Sequence, residues 1–365
     1  MKKFAFIIVL VLVCAVFLPS CSAKVNPDSK ITKQTLTMKN GEYKILHLAD
    51  LHECLHERDI LDQRNTDFIN KVLDYTKPDL VVLGGDNIFP LSLAGELFKQ
   101  ETLKTIDEFC KLFDERQQPW TLVFGNHDDE AVYDKDRQYR RAMKNSKYFV
   151  GSLEDTELLK AYVDKKQDMV GNLAIPIFFE DGGKAFNVFL LDSGSARKIG
   201  KKKLDGYNYI RSSQIDWYKN IALADKEAAG RLIPAIAITH IPLYEHREAF
   251  QNRNDSEKVL RWVYDAAGDY ALSKTQSDFY TVAVDQVGDM KAIFTGHNHR
   301  NGFTAVVRTA NGGEVMLSTS RQAGVYWESG VEYTRNSGRL ITLKADGSIE
   351  TYEYHTEPEC FISIN

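Results

Sequence analysis

The strongest constraint in this sequence is a repeated punctuation. Short apolar runs of strand length each stop at a residue able to hold a metal ion. Tyr43–Ala49 runs into Asp50-Leu51-His52, Leu80–Leu83 into Gly84-Gly85-Asp86, and Trp120–Phe124 into Gly125-Asn126-His127-Asp128-Asp129. Ala235–Thr239 stops at His240, and Ala292–Thr295 at Gly296-His297-Asn298-His299. One Gly-Asp after one strand is an ordinary solvated turn. Five such ends are a pattern, because α/β sheets build their sites outside the carboxyl ends of the strands. Spacing of i, i+2 on an extended segment puts Asp50 and His52 on one side, and likewise His297 and His299.

Helical segments separate the first three runs. Phe68, Ile69, Val72 and Leu73 follow possible caps at Asn65 and Thr66, and Lys77-Pro78 stops that helix. Leu103, Ile106, Phe109 and Phe113 mark a second helix over 101–115. Strand, helix, strand, helix, strand predicts a parallel core. Further on, Ile175–Glu180 and Ala185–Leu191 flank the turn Asp181-Gly182-Gly183, Ser212 or Ser213 caps a helix, and 256–267 and 277–287 read as helices. The tail reads as antiparallel hairpins at Asn311-Gly312-Gly313 and Asp346-Gly347. With 365 residues, 43% hydrophobic and 27% charged, a single large globular domain fits and wholesale disorder does not. A net charge of −5 without a basic run gives no field for nucleic acid.

The first residues read as an export signal. Lys2-Lys3 precedes the apolar stretch Phe4–Leu18, which is shorter than a comfortable membrane span of about 20 residues. Leu18-Pro19-Ser20-Cys21 looks like a bacterial lipobox, which predicts a signal over 1–21, lipidation at Cys21, a tether over 22–40 and one domain over 41–356. The expected location is a bacterial membrane, with the domain facing periplasm or cell surface. Of the remaining cysteines, Cys54, Cys110 and Cys360 have no metal-type spacing, and no disulfide framework is expected.

Oxygen and imidazole donors together suit divalent Mn, Fe, Zn, Ni or Co. Seven candidate ligands exceed the needs of one ion and match two. The ordered set resembles the calcineurin-like metallophosphoesterase superfamily over about Lys44–Tyr354. The resemblance implies an αββα sandwich of two mixed sheets flanked by helices. It also implies that Asp50, His52 and His299 hold one metal, that Asn126, His240 and His297 hold the other, and that Asp86 bridges them. Arg64-Asn65-Thr66-Asp67-Phe68, Leu191-Asp192-Ser193-Gly194 and Gly206-Tyr207 with Gln214-Ile215-Asp216-Trp217 are similar to the purple acid phosphatase-related group. That group's purple members carry an iron-binding Tyr in Gly-Asp-x-x-Tyr. Here the run is Gly85-Asp86-Asn87-Ile88-Phe89, and Phe89 cannot ligate, so no ferric–tyrosinate centre is expected.

The implied chemistry is hydrolysis of phosphate mono- or diesters by a metal-bridging hydroxide. His127 would protonate the leaving alkoxide, with Asp128 beside it to orient the ring. Arg300, Asn301, Arg321 and Tyr326 are candidate substrate contacts, Arg being suited to bidentate phosphate binding. Asp192 reads as support behind the ligands, His47 as a core group, and His246 as part of a solvated helix face. A metal-loaded protein of this fold without catalysis is the rival from a different class. A zinc metalloprotease is a third, since His52-Glu53-Cys54-Leu55-His56 matches H-E-x-x-H. That motif needs a helix to bring its histidines to one face, and here His52 ends a strand. Substrate identity and oligomeric state are not legible.

Overall fold

A computed structural model describes residues 26–364 apart from 27, 54–60, 90–98, 129, 131–132, 153–169, 200–201, 265–269, 329–330, 334–335 and 356–362. The signal, Cys21 and His56 therefore lie outside the described residues. The strands are β1 (Glu42–Leu48), β2 (Leu80–Gly84), β3 (Trp120–Val123), β4 (Leu173–Phe178), β5 (Lys184–Leu191), β6 (Ala196–Ile199), β7 (Lys202–Tyr207), β8 (Ala235–Thr239), β9 (Val259–Tyr264), β10 (Met290–Thr295), β11 (Phe303–Arg308), β12 (Glu314–Thr319), β13 (Tyr326–Glu328), β14 (Val331–Tyr333), β15 (Ser337–Lys344), β16 (Ile349–His355) and β17 (Ser363–Ile364). The helices are α1 (Gln63–Thr76), α2 (Lys99–Glu115), α3 (Lys135–Asn145), α4 (Ser212–Ala229) and α5 (Tyr244–Gln251), with a wide-wound turn over Thr281–Val287.

Two mixed sheets form the centre, ordered β17-β16-β15-β1-β2-β3 and β4-β5-β8-β10-β12-β11-β9. Within them β1, β2 and β3 run parallel, as do β5, β8, β10 and β12. Strand alternation sorts the apolar side chains into layers. Tyr43, Ile45, Leu80, Val82 and Ile341 meet Val188, Leu190, Ile236, Ile238 and Phe294 between the sheets. The opposite faces carry Leu46, Leu48, Val81 and Leu83 against Phe68, Val72, Phe109 and Phe113 of α1 and α2. On the far side Phe189, Ala237 and Ile293 meet Trp217, Tyr218 and Ala283. The expected αββα sandwich is the observed architecture. Its consequence for function is that the carboxyl ends of β1, β2, β3, β8 and β10 are brought to one place.

Several local expectations differ. The stretch 256–267 contains an edge strand rather than a helix: β9 pairs antiparallel with β11 from Tyr264↔Phe303 to Val259↔Val307. Val259, Val263 and Trp262 favour a pleated surface, and β11 would otherwise leave a row of unpaired backbone groups. The charged helix α3 shows little apolar signal, its buried stripe being Tyr139, Ala142 and Met143. Much of the stretch read as a tether is part of the fold. Met38 is 1% exposed in the inter-sheet core, its N–H bonding Phe178 O at 2.8 Å. Asp62, not Asn65, caps α1, its carboxylate accepting from the Arg64 N–H at 2.8 Å. Asn65 lies one turn in, where its amide donates to Glu53 Oε1 and accepts from the Val325 N–H and the Asn336 amide.

Candidate metal centre

The loop after β1 runs alongside the loop after β2. Asp50 and His52 donate their N–H groups to Gly85 O and Asp86 O, each at 2.9 Å. The second sheet does the same with β8 and β10, where Gly296 N–H bonds His240 O at 3.1 Å. Two bonds then join the sheets. His240 Nδ1 lies 3.0 Å from Gly84 O, which leaves Nε2 turned inward, and the His297 N–H donates to Asp50 Oδ2 at 2.9 Å. The His127 N–H donates to Asp86 Oδ1 at 2.7 Å, which ties the loop after β3 to the same point.

Backbone conformation marks these residues. Asp50, His52, Asp86 and His297 all have positive φ, at 56°, 49°, 50° and 71°. Left-handed backbone is uncommon outside glycine and costs on the order of 1–3 kcal/mol per residue. The other described non-glycine cases, Asn40, Lys77 and Gln117, lie at turns or helix ends. Two glycines make the close approach possible. A Cβ on Gly85, itself at φ +91°, would lie 2.5 Å from His240 Nδ1, and one on Gly125 would lie 2.2 Å from Asp86 Oδ1.

The donors fall into two sets, Asp50, His52, Asp86 and His299 in one and Asp86, His240 and His297 in the other. Each set has its ligand atoms within 4.8 Å of one another. Asp86 is the shared member. Its Oδ2 lies 3.1 Å from His240 Nε2 and 3.9 Å from His52 Nε2. Asn126 is 5% exposed and one residue from the His127–Asp86 bond, its Oδ1 buried.

Whether these residues fit a cation can be tested on their own chemistry. Asp50 Oδ1, Asp86 Oδ2, Asn126 Oδ1, His240 Nε2 and both ring nitrogens of His297 are buried without a partner in hydrogen-bond geometry. A buried unsatisfied polar atom costs about 1–3 kcal/mol, and native proteins contain few of them. A cluster of such acceptors facing one another is explained by positive charge between them. His52 Nε2 and His299 Nε2 lie 3.0 Å apart, where two lone pairs repel unless a proton or a cation intervenes. The protein without metal compensates by titration. Burial is the largest single influence on Asp50 and Asp86 and raises both, but the His240 charge together with the hydrogen bonds and charges of the neighbouring imidazoles outweighs it and holds both carboxyls well below their usual range. Burial lowers His240, and the two carboxylates push it instead up to about 9. Burial, with the His240 charge, takes His297 down to about 3. The residues fit divalent metal.

His127 stands beside this cluster, half-buried. Its orienting partner is not Asp128. Nδ1 lies 2.9 Å from Glu130 Oε2, in a turn closed by the Glu130 N–H to His127 O bond at 2.8 Å. Asp128 turns the other way and accepts from the N–H groups of Gly125, Asn87 and Ile88 at 2.7, 2.9 and 2.9 Å. It is a staple holding the loop after β3 to the loop after β2. The only sequence signal for Glu130 was its place three residues after His127. Phe89, in the position of the missing tyrosine, packs edge-on against His127 with ring centroids 4.7 Å apart, and 5.5 Å from His52. Tyr207, at the end of the β6–β7 hairpin, packs edge-on against His297 at 4.5 Å. Sequence reading gave it no role in the site.

Of the candidate substrate contacts, Arg300 is exposed. Asn301 and Arg321 are 1% and 7% exposed, and the Arg321 stem packs over Gly302 beside Glu353. The Tyr326 side chain lies outside the described residues. Asp192 is buried against Lys135 Nζ at 3.2 Å, and the adjacent Ser193 hydroxyl accepts from the Ile241 N–H next to His240. His47 is buried with Nδ1 3.0 Å from Ser320 Oγ. His246 is fully buried rather than solvated, its Nε2 3.3 Å from Ile293 O, because α5 packs onto the second sheet. Glu53 pairs in a bridge with Ile88 and accepts from the Asp62 N–H and the Asn65 amide, so the glutamate of the H-E-x-x-H match is bound to neighbouring loops and not presented to the metal cluster.

A sandwich with paired acid–imidazole donor sets at its strand ends defines a metallophosphoesterase type of fold with a candidate metal centre. A family model described as calcineurin-like phosphoesterase matches residues 43–301, and the chain belongs to that family. Among curated proteins it is 27% identical over 298 residues to probable inactive purple acid phosphatase 29 of Arabidopsis thaliana, covering 74% of this chain and 70% of that one. It is also 27% identical over 278 residues to the phosphatase DCR2 of Saccharomyces cerevisiae, covering 68% of this chain and 45% of that one. Among solved structures, a dimetal phosphatase from Danio rerio superposes with a TM-score of 0.52 at 10% identity, over 88% of this chain and 98% of that one. This last likeness concerns the fold.

Proposed function

We propose that this protein is a phosphoesterase dependent on two divalent metal ions, hydrolysing phosphate mono- or diesters. The observation that carries the reading is the pair of donor sets meeting at Asp86 with their buried ligand atoms unsatisfied. Asp50, His52, His299 and Asp86 would hold one ion, and Asp86, His240, His297 and Asn126 the other. When bound, such ions supply an acidified water and positive charge for the phosphoryl oxygens. The two carboxylates leave that pocket net positive toward an anionic ester.

The remaining work falls to the chain's own groups. The Asp86 carboxylate fixes the His127 backbone through Oδ1, so the residue that shares the two sites also places the proton donor. Glu130 accepts from the Nδ1–H of His127, which leaves Nε2 to carry a proton to the leaving alkoxide. The Phe89 edge limits rotation of that ring.

The test is reconstitution with Mn, Fe, Zn, Ni or Co and hydrolysis of chromogenic mono- and diesters. Two metals bound without hydrolysis of either would replace this reading with a catalytically silent metal protein, which the name of the Arabidopsis relative favours. We also propose, from the sequence at Lys2–Cys21, export and lipid anchoring at Cys21. Incorporation of labelled palmitate that survives Cys21→Ser would overturn that part.

A further inference from the structure

The two donor sets are each walled by an aromatic ring, and the two rings differ in chemistry. On the His52 side the wall is Phe89 with His127. On the His297 side it is Tyr207, which sits 4.5 Å from the His297 ring at 84° while His297 in turn packs 5.2 Å from His240. Tyr207 comes from outside both large sheets. Its hairpin strands β6 and β7 form a two-stranded sheet of their own, and Tyr207 adds an isolated bridge to Ser273. It is nevertheless held firmly: its carbonyl accepts from Ser273 Oγ at 2.9 Å, and the Asn208 N–H bonds Ser195 O at 2.9 Å. Gly206 before it takes φ +90°, a conformation that turns the chain into the site.

The Tyr207 ring stands nearly perpendicular to the His297 ring. The Tyr207 side chain is half-buried. A phenol is protonated at neutral pH and so a hydrogen-bond donor, and this one lies against His297 at the edge of the Asp86–His240–His297 set. Donor groups at that position face the anionic oxygens of a phosphoryl group bound at the cluster.

We propose that Tyr207 contacts substrate, its O–H donating to a non-bridging phosphoryl oxygen of an ester bound between the two aromatic walls. This rests on the phosphoesterase reading above. It also separates two roles that a single tyrosine could have combined: Phe89 in the Gly-Asp-x-x-Tyr position cannot ligate, and the tyrosine that is present is a hydrogen-bond donor on the other side of the site.

The experiment compares the metal-loaded parent with Tyr207→Phe, which keeps the wall and removes the hydroxyl. Inorganic phosphate binding is measured by calorimetry, with metal content by elemental analysis. A hydrogen bond to a charged oxygen is lost, so phosphate should bind about tenfold or more weakly to Tyr207→Phe at unchanged metal content. Equal phosphate affinity in the two proteins overturns the proposal and leaves the phosphoesterase reading standing. Loss of metal from Tyr207→Phe also overturns it, since the hydroxyl would then serve the ligands rather than substrate. A parent protein that carries metal and binds no phosphate overturns both.

Discussion

Asp86→Asn isolates the shared charge better than removal of the whole side chain. Asparagine tolerates the left-handed backbone at φ 50° and its Oδ1 can still accept the His127 N–H, so shape and loop geometry survive. What disappears is one negative charge adjacent to both donor sets, 3.1 Å from His240 Nε2 and 3.9 Å from His52 Nε2. Two unit charges about 4 Å apart interact by roughly 4 kcal/mol at an effective dielectric of about 20. At about 1.4 kcal/mol per factor of ten, that is on the order of 10³-fold in affinity for a single unit of charge, and at least as much for each divalent ion separately. The assay is metal per chain after equilibration with a metal buffer, alongside ester hydrolysis and a thermal melt to show that the fold persists. Asp86→Asn should lose both ions and all turnover. A folded variant that keeps both ions at parental affinity, or loses only one, would refute the bridge.

The other expectations concern the proton donor, the close approach and a site remote from both. His127→Ala should keep both metals and lose roughly 10²–10⁴-fold in turnover, and Glu130→Gln should lose less while leaving metal content unchanged; equal activity in either case removes the assigned role. Gly85→Ala meets two obstacles, a positive φ worth about 1–3 kcal/mol and a Cβ within 2.5 Å of His240 Nδ1. It should lower Tm and the affinity of the His240–His297 set together, and a variant with parental Tm would contradict the geometry. Asp289, 2% exposed, accepts from the Tyr218 hydroxyl, yet burial pushes its carboxyl up to about 6 from 3.8. A raised carboxyl binds its proton more tightly folded than unfolded, so stability falls as pH rises from about 4 to about 6 and stays reduced above that. The loss is at most roughly 3 kcal/mol. Denaturant titrations should therefore show Asp289→Asn gaining on the parent across that window; a constant difference from pH 4 to 7 would sink the argument.

The sequence by itself determined a parallel α/β core and the strand ends that carry the candidate ligands, while the two-sheet sandwich followed from the family resemblance. Apolar runs such as Leu80–Leu83 and Ala235–Thr239 need burial on both faces, which only a covered parallel sheet supplies, and each announces its carboxyl end with Asp86 or His240. Such information is local, carried by period and punctuation. Only the tertiary structure decided which groups face one another. Edge strand or helix for Val259–Tyr264 depended on whether β11 lacked a neighbour. His246 became buried because of where α5 docks. Adjacency in sequence pointed to Asp128 as the partner of His127, but the turn puts Glu130 there and sends Asp128 to the backbone of Gly125, Asn87 and Ile88. Tyr207 reaches His297 across ninety residues of chain, a contact no spacing rule contains. The left-handed backbone at His52 and His297 is likewise visible only in the folded chain. Side-chain direction at a strand end is set by the partner that strand meets, and that partner is a property of the fold.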